Sequence, residues 1–224
     1  METNENKNMP VNPQNTQQNP AEDAGLNDFG GIKLQGHIKI FDPETKEVYV
    51  NKRNAIHYEN FSLALVNSVG NQGYGWVTKM SFGNGGSRVD PTGIITYLTP
   101  NSVGQNAALY NETYSKVIDA SSSDNLDPTR NYMESRHVLG NTYTDLLVSC
   151  LLDFGEPNGQ NAFDNSSNLD GKYVFDELGL KGNDISGNEV LLTHVIFHPV
   201  QKSLNRMIQI DYTIRVQSIS GVGA

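Results

Sequence analysis

Apolar and polar residues alternate over several long stretches of this chain, and that two-residue period predicts strands with one buried face. The most regular stretch is RMIQIDYTIRVQ, where Ile208, Ile210, Tyr212, Ile214 and Val216 alternate strictly with Gln209, Asp211, Thr213 and Arg215. A second is TYTDLLVSCLLDF, which sets Leu146, Val148, Cys150, Leu152 and Phe154 against residues that include Asp145, Ser149 and Asp153. Burying either face is worth about 7–15 kcal/mol, so these two segments dominate the predicted core. KYVFDELGL and NEVLLTHVIFHPV supply two more strands. Near the start, Ile32, Leu34, Ile38 and Ile40 alternate up to Asp42-Pro43-Glu44-Thr45-Lys46, and Val48-Tyr49-Val50 returns antiparallel. Pro43 presets φ for the second turn position, which makes this the clearest hairpin. Trp76 to Phe82 reads as a strand with Trp76, Met80 and Phe82 on one side, running into FGNGGSRVDPTG as a loop. Ile94–Leu98 and Tyr114–Ile118 read as shorter strands.

Only one segment has the helical period. Phe61, Ala64, Leu65 and Ser68 share a face at that spacing, which predicts a helix over Tyr58–Val69 with Gly70 as its stop. No repeat of fixed period is present. The fold class expected is mainly β: an antiparallel β-sandwich or barrel with one short helix.

Residues 1–30 break the pattern. They are rich in Asn, Gln and Pro, show no period, and contain roughly seven apolar side chains. Ordering each residue costs about 1–2 kcal/mol, more than so few apolar groups return. The expected organisation is therefore an extended N-terminal arm over 1–30, disordered alone or ordered by partners, and a β-rich structural domain over 31–224.

Composition narrows the function classes. Of 224 residues, 37% are hydrophobic and 18% charged, with 21 Gly, so short polar residues fill the deficit and favour turns and sheet surfaces. A net charge of -9 repels phosphate backbones, which argues against direct nucleic-acid binding. Cys150 is the single cysteine, so no intrachain disulfide forms and the fold must stand in a reducing cytoplasm. No apolar run approaches 18 residues and the start is not basic-plus-apolar; neither a membrane span nor a signal peptide is expected. The sequons at Asn60, Asn111 and Asn165 then carry no glycosylation meaning.

Candidate chemistry is sparse. Phe82-Gly83-Asn84-Gly85-Gly86-Ser87 is able to cradle an anion on backbone amides, but it lacks the Lys-Ser/Thr ending of a phosphate loop and reads as a strand-to-strand loop. His194 and His198 share a strand face about 13 Å apart, too far to ligate one metal unless the strand kinks at Pro199. His37, His57 and His137 have no spaced partners and read as surface or packing residues. Asp164, Ser166, Asn168 and Asp170 form a loosely calcium-like run, yet Gly171 and Phe175 fall where an EF-hand needs other residues; an exposed loop is the default, with a weak Ca²⁺ site as the alternative. Cys150 lies on an apolar face and reads as packing. Adjacent Asp176 and Glu177 point to opposite faces of a strand and make a poor acid–base pair. The expectation is no catalytic, cofactor-binding or metal-ligating set, and no enzyme.

Four phrases together resemble virion structural proteins of tailed, particularly contractile-tail, bacteriophages: IKIFDPETKEVYVNKRNAIHYENFSLAL, WVTKMSFGNGGSRVDPTGIITYL, FDELGL and THVIFHPVQKSLNRMIQIDYTIRV. Their order is similar to a β-domain pattern of phage neck, baseplate and fibre-attachment proteins. In that pattern a strand ends in a Gly-rich loop, a Glu-Leu-Gly-Leu-like strand follows, and a long last strand carries a Tyr-Thr-Ile-like run. The likeness spans about Ile32 to Val216 and leaves the arm outside. It implies a neck or collar component at the head–tail junction, assembled in the host cytoplasm into the virion. It also implies homo-oligomers in contact with portal, connector or tail proteins. Head decoration and a baseplate or fibre adaptor are the nearest alternatives. A receptor- or carbohydrate-binding module, with Tyr74, Trp76 and Tyr97 as stacking surfaces, is the alternative of another class. A hydrolase acting on the cell envelope is a third class, for which no carboxylate set stands out.

Overall fold

The structure is a computed structural model that describes residues 30–104, 106–160 and 171–220. The arm, up to residue 29, and the calcium-like run Asp164–Asp170 lie outside the described residues.

The described residues form eleven strands and one helix in the order β1 Gly30–Phe41, β2 Val48–Ile56, α1 Tyr58–Val69, β3 Val77–Gly83, β4 Ser87–Val89, β5 Ile95–Tyr97, β6 Glu112–Val117, β7 Tyr132–His137, β8 Tyr143–Leu152, β9 Val174–Asn183, β10 Glu189–Gln201 and β11 Ile208–Ser220. Nine strands make one antiparallel sheet in the order β6-β3-β9-β10-β2-β1-β11-β8-β7; β4 and β5 pair separately. The fold is mainly β, as expected, with the sheet curled into a half-barrel.

β2 is the corner. Residues 48–54 pair with β1, whereas Ala55 and Ile56 pair with His194 and Thr193 of β10. The strand thus passes from one half of the sheet to the other, and the halves face each other across a single core. Ile38, Val148, Cys150, Ile210, Tyr212 and Ile214 come from one half; Met80, Phe82, Leu178, Leu180, Val195 and Phe197 come from the other. The alternation read in β11 holds, with Ile208 through Ile214 buried and Val216 half-buried.

Three details depart from the sequence reading. Trp76 is not on the side of Met80 and Phe82: a register shift between Val77 and Lys79 inserts an extra residue, Val77 turns inward, and Trp76 is 42% exposed with its indole N–H on Asp119. Phe154 lies beyond the end of β8 in a turn and is 39% exposed. The helix has the expected bounds but is rotated. It buries Asn60, Phe61, Ala64 and Asn67, leaves Ser68 exposed, and turns Leu63, Val66 and Val69 to solvent. Asn60 fixes that rotation by donating from Nδ2 to the Leu191 carbonyl at 2.8 Å. The residue with left-handed φ at the helix end is Asn71 (φ 50°), while Gly70 stays right-handed. Within the loop read from FGNGGSRVDPTG, Ser87–Val89 is itself a short strand. β7 had no alternation to announce it.

Candidate functional site

The richest polar cluster sits where β9, β10 and the Gly-rich loop after β3 meet. Register carries β3 alongside β9 to Gly83 opposite Glu177, so the following loop runs past Asp176 and Glu177. There the loop does hold anions on its amides, and they are the chain's own carboxylates. Gly86 N–H and Ser87 N–H donate to Asp176 at 2.8 and 2.7 Å, and the Ser87 hydroxyl donates to it at 2.5 Å. Glu177 accepts from Gly85 N–H at 3.2 Å, Tyr110 N–H at 2.9 Å and Asn111 N–H at 2.7 Å. Its fourth donor is His194 Nε2 at 3.0 Å. Glycine is needed here because a Cβ on Gly85 would stand 2.7 Å from the Asn111 nitrogen.

His194 is fully buried, and its Nδ1 accepts the Asn101 N–H at 2.8 Å. With Nδ1 an acceptor and Nε2 facing a carboxylate, the ring is the neutral Nε2–H tautomer. The Tyr110 ring packs on it with centroids 5.7 Å apart, and the Tyr110 hydroxyl donates to the Thr99 carbonyl. His57, expected as surface or packing, is a buried helix cap. Its Nδ1 accepts from Asn60 N–H and its Nε2 bonds the Gly104 carbonyl. Two buried histidines and one buried glutamate therefore hold Asn101, Gly104, Tyr110 and Asn111 against the sheet.

The two carboxylates respond oppositely. Burial alone would raise Glu177, but the bonds from His194, Asn111 and Tyr110 outweigh it and hold its pKa below the ordinary value. Burial wins at Asp176, whose pKa is raised despite the bonds from Ser87 and Gly86. Asp176 and Glu177, expected to point to opposite faces and to make a poor acid–base pair, each bond their own amides of the loop after β3. As a chemical unit, Glu177–His194 is a carboxylate orienting an imidazole, but the imidazole's second nitrogen is spent on a backbone amide.

The other candidates fall elsewhere. His198 is exposed and bonds the Tyr97 hydroxyl at 3.0 Å; the ladder shifts between Ile196 and Val200, around Pro199, so it does not join His194. His37 and His137 are exposed. Burial pushes the Cys150 thiol up to about 12. Among the described residues no three His, Cys, Asp or Glu cluster as metal ligands. Among them, too, no helix is long and apolar enough to cross a membrane. Lys79, Glu189, Lys181 and Glu112 form an ion-pair ladder across β6, β3, β9 and β10. Beside it lies an open cleft of about 870 Å³ between α1 and the β9–β10 hairpin, lined by Asn60, Leu63, Val66, Tyr74, Ile185 and Glu189 among others. Tyr74 is in that cleft, but Trp76 and Tyr97 are not, so the three aromatics do not form one stacking platform.

Comparison with protein-family models, curated proteins and solved structures finds no match.

The convergence on Glu177 escaped the sequence reading because its donors come from three separate segments. One sign was present: two acids inside the otherwise apolar VFDELGL, which must be satisfied if that strand is buried.

Proposed function

We propose that this chain is a non-catalytic structural subunit of a tailed-phage virion. Its place is the neck or collar at the head–tail junction, where copies associate with one another and with portal, connector or tail proteins. The phage context rests on the resemblance of the four sequence phrases. The observation that carries the assembly reading is the outer edge strand β7. Among the described residues it pairs only with β8, residues 134–137 are exposed, and the turn that joins the two strands carries Leu139 at 93% exposure. An open strand edge beside an exposed leucine is a surface suited to being covered by a neighbour. The polar groups nearest to a catalytic arrangement, by contrast, are used up in holding the fold.

Imaging purified virions with a tag on the chain tests the location. Label at the head–tail junction supports the proposal; label on the capsid faces or the tail tip overturns it in favour of a decoration or baseplate role. Quantitative mass spectrometry gives a second criterion, since a collar requires about a dozen copies or fewer by ring symmetry and decoration requires many.

The cleft that holds Tyr74 supports a second reading, a carbohydrate-binding module, because it combines one aromatic ring with Asn60, Asn67, Asn106 and Asn188. Binding on a glycan array that is lost in Tyr74→Ala would favour it.

A further inference from the structure

β1 is half-covered. Its residues Gly30–Phe41 all pair with β11, but β2 runs beside it only from Gly36 onward, because β2 turns away at Ala55 to join β10. Along Gly30–Gln35 the second row of backbone groups therefore has no strand beside it among the described residues. Six residues of strand span roughly 20 Å, the length of an ordinary strand partner. A recess of about 340 Å³ lies along this edge, lined by Lys33, Leu34, Arg53, Ile56, Tyr58 and Ser102 among others. Ile32 at the open end is 62% exposed although its position in the alternation is that of the core residues Ile38 and Ile40. A strand laid here would extend both the hydrogen-bond ladder and the apolar face.

The edge is also basic in an acidic protein. Lys33 and Arg53 are exposed, on the face away from the core, with His37 opposite Arg53 in register. Neither Lys33 nor Arg53 is in an ion pair among the described residues. The 29 residues that precede Gly30 carry five carboxylates, Glu2, Glu5, Glu22, Asp23 and Asp28, against the single Lys7. Extended, that length reaches up to about 100 Å, well beyond its own domain. Gly30 and Gly31 are the residues in which an early turn would be easiest, since glycine tolerates positive φ. Both instead pair as extended strand with Ser220 and Ile219, and neither has positive φ.

We propose that the free edge of β1, Gly30–Gln35, takes a strand from the acidic N-terminal segment of a second copy of this chain, with carboxylates of that segment on Lys33 and Arg53. This inference rests on the assembly reading and names the surface and the partner segment. It is β-strand addition: main-chain hydrogen bonds supply attachment, and charge selects the acidic segment.

The test mixes isotope-labelled and unlabelled full-length chains, joins touching carboxylates and amines with a zero-length cross-linker, and reads the linked peptides by mass spectrometry. Links from Lys33 to Glu22, Asp23 or Asp28 that pair labelled with unlabelled chains are expected. Their yield should fall about fivefold in 0.5 M salt, where the screening length shrinks to roughly 4 Å, and similarly in Arg53→Glu. Links confined to one isotope would place the chain's own segment on the edge and overturn the proposal. Absence of Lys33 links in a sample that sediments as an oligomer would overturn the named partner while leaving the assembly reading in place. The same absence in a sample that stays monomeric at every concentration would remove both.

Discussion

The two ends of the sheet's polar inventory are used in opposite ways. Around β9 and β10, Glu177 and His194 are completely buried, and Glu177 is held by four hydrogen bonds from other parts of the same chain. Around the start of β1 and along β7, one strand edge has no partner strand among the described residues, and side chains such as Lys33, Ile32 and Leu139 are exposed. A buried charge is tolerated only when its hydrogen bonds are complete, so the first region has no freedom to serve a ligand without unfolding its loops. An exposed edge costs little in the isolated chain and gains its partner only on association. The contrast separates what holds the domain together from what is left for neighbours.

The largest expected effect comes from breaking the closed region. Glu177→Gln puts an amide N–H₂ among four donors and should cost about 3–5 kcal/mol of stability, read as a lowered denaturant midpoint. Gly85→Ala drives a methyl into the backbone at Asn111 and should cost about 1–3 kcal/mol by the same measurement. Asp176→Asn should cost less than Glu177→Gln, because burial already disfavours the Asp176 charge.

Acid sharpens the same comparison. Glu177 has a folded pKa below its unfolded value, so the stability it contributes is complete above about pH 4.5 and is lost as pH falls through the lowered folded value. Asp176 is raised, so its contribution has the opposite sign: it is present below about pH 4 and lost as pH rises through the folded value. Wild type should lose stability on acidification below about pH 4.5, and that slope should flatten in Glu177→Gln and steepen in Asp176→Asn. The smallest effect on the isolated chain is expected at the open region. Leu139→Ser should change its stability by less than about 0.5 kcal/mol, while reducing incorporation into particles measured by quantitative mass spectrometry.

The sequence disclosed most of the strands because each buries one face against a common core. β11 alternates without interruption, and its residues lie where the period puts them. It failed wherever local geometry shifts the period. The extra residue between Val77 and Lys79 moved Trp76 outward, and the hydrogen bond from Asn60 to Leu191 turned the helix so that polar Asn60 and Asn67 are buried in place of Leu65 and Ser68. β7 escaped because an exposed edge strand has no buried face to impose alternation. The Glu177 cluster was partly legible: the Gly-rich loop is able to cradle an anion on its amides although it reads first as a strand-to-strand loop, and nothing in the order of residues says that its anions come from β9. That pairing depends on the antiparallel register of β3 and β9, which brings residues 83 and 177 together across the sheet.

Hydrogen exchange on the chain alone and within the assembled particle tests the division most directly. The amides of Gly85, Gly86, Ser87, Tyr110 and Asn111 are expected to be slow in both states, while those amides of Gly31–Gln35 and Glu134–His137 that point away from β11 and β8 exchange fast alone and slow on assembly. Edge amides that stay fast inside the particle, or loop amides that become slow only when a small molecule is added, would contradict it.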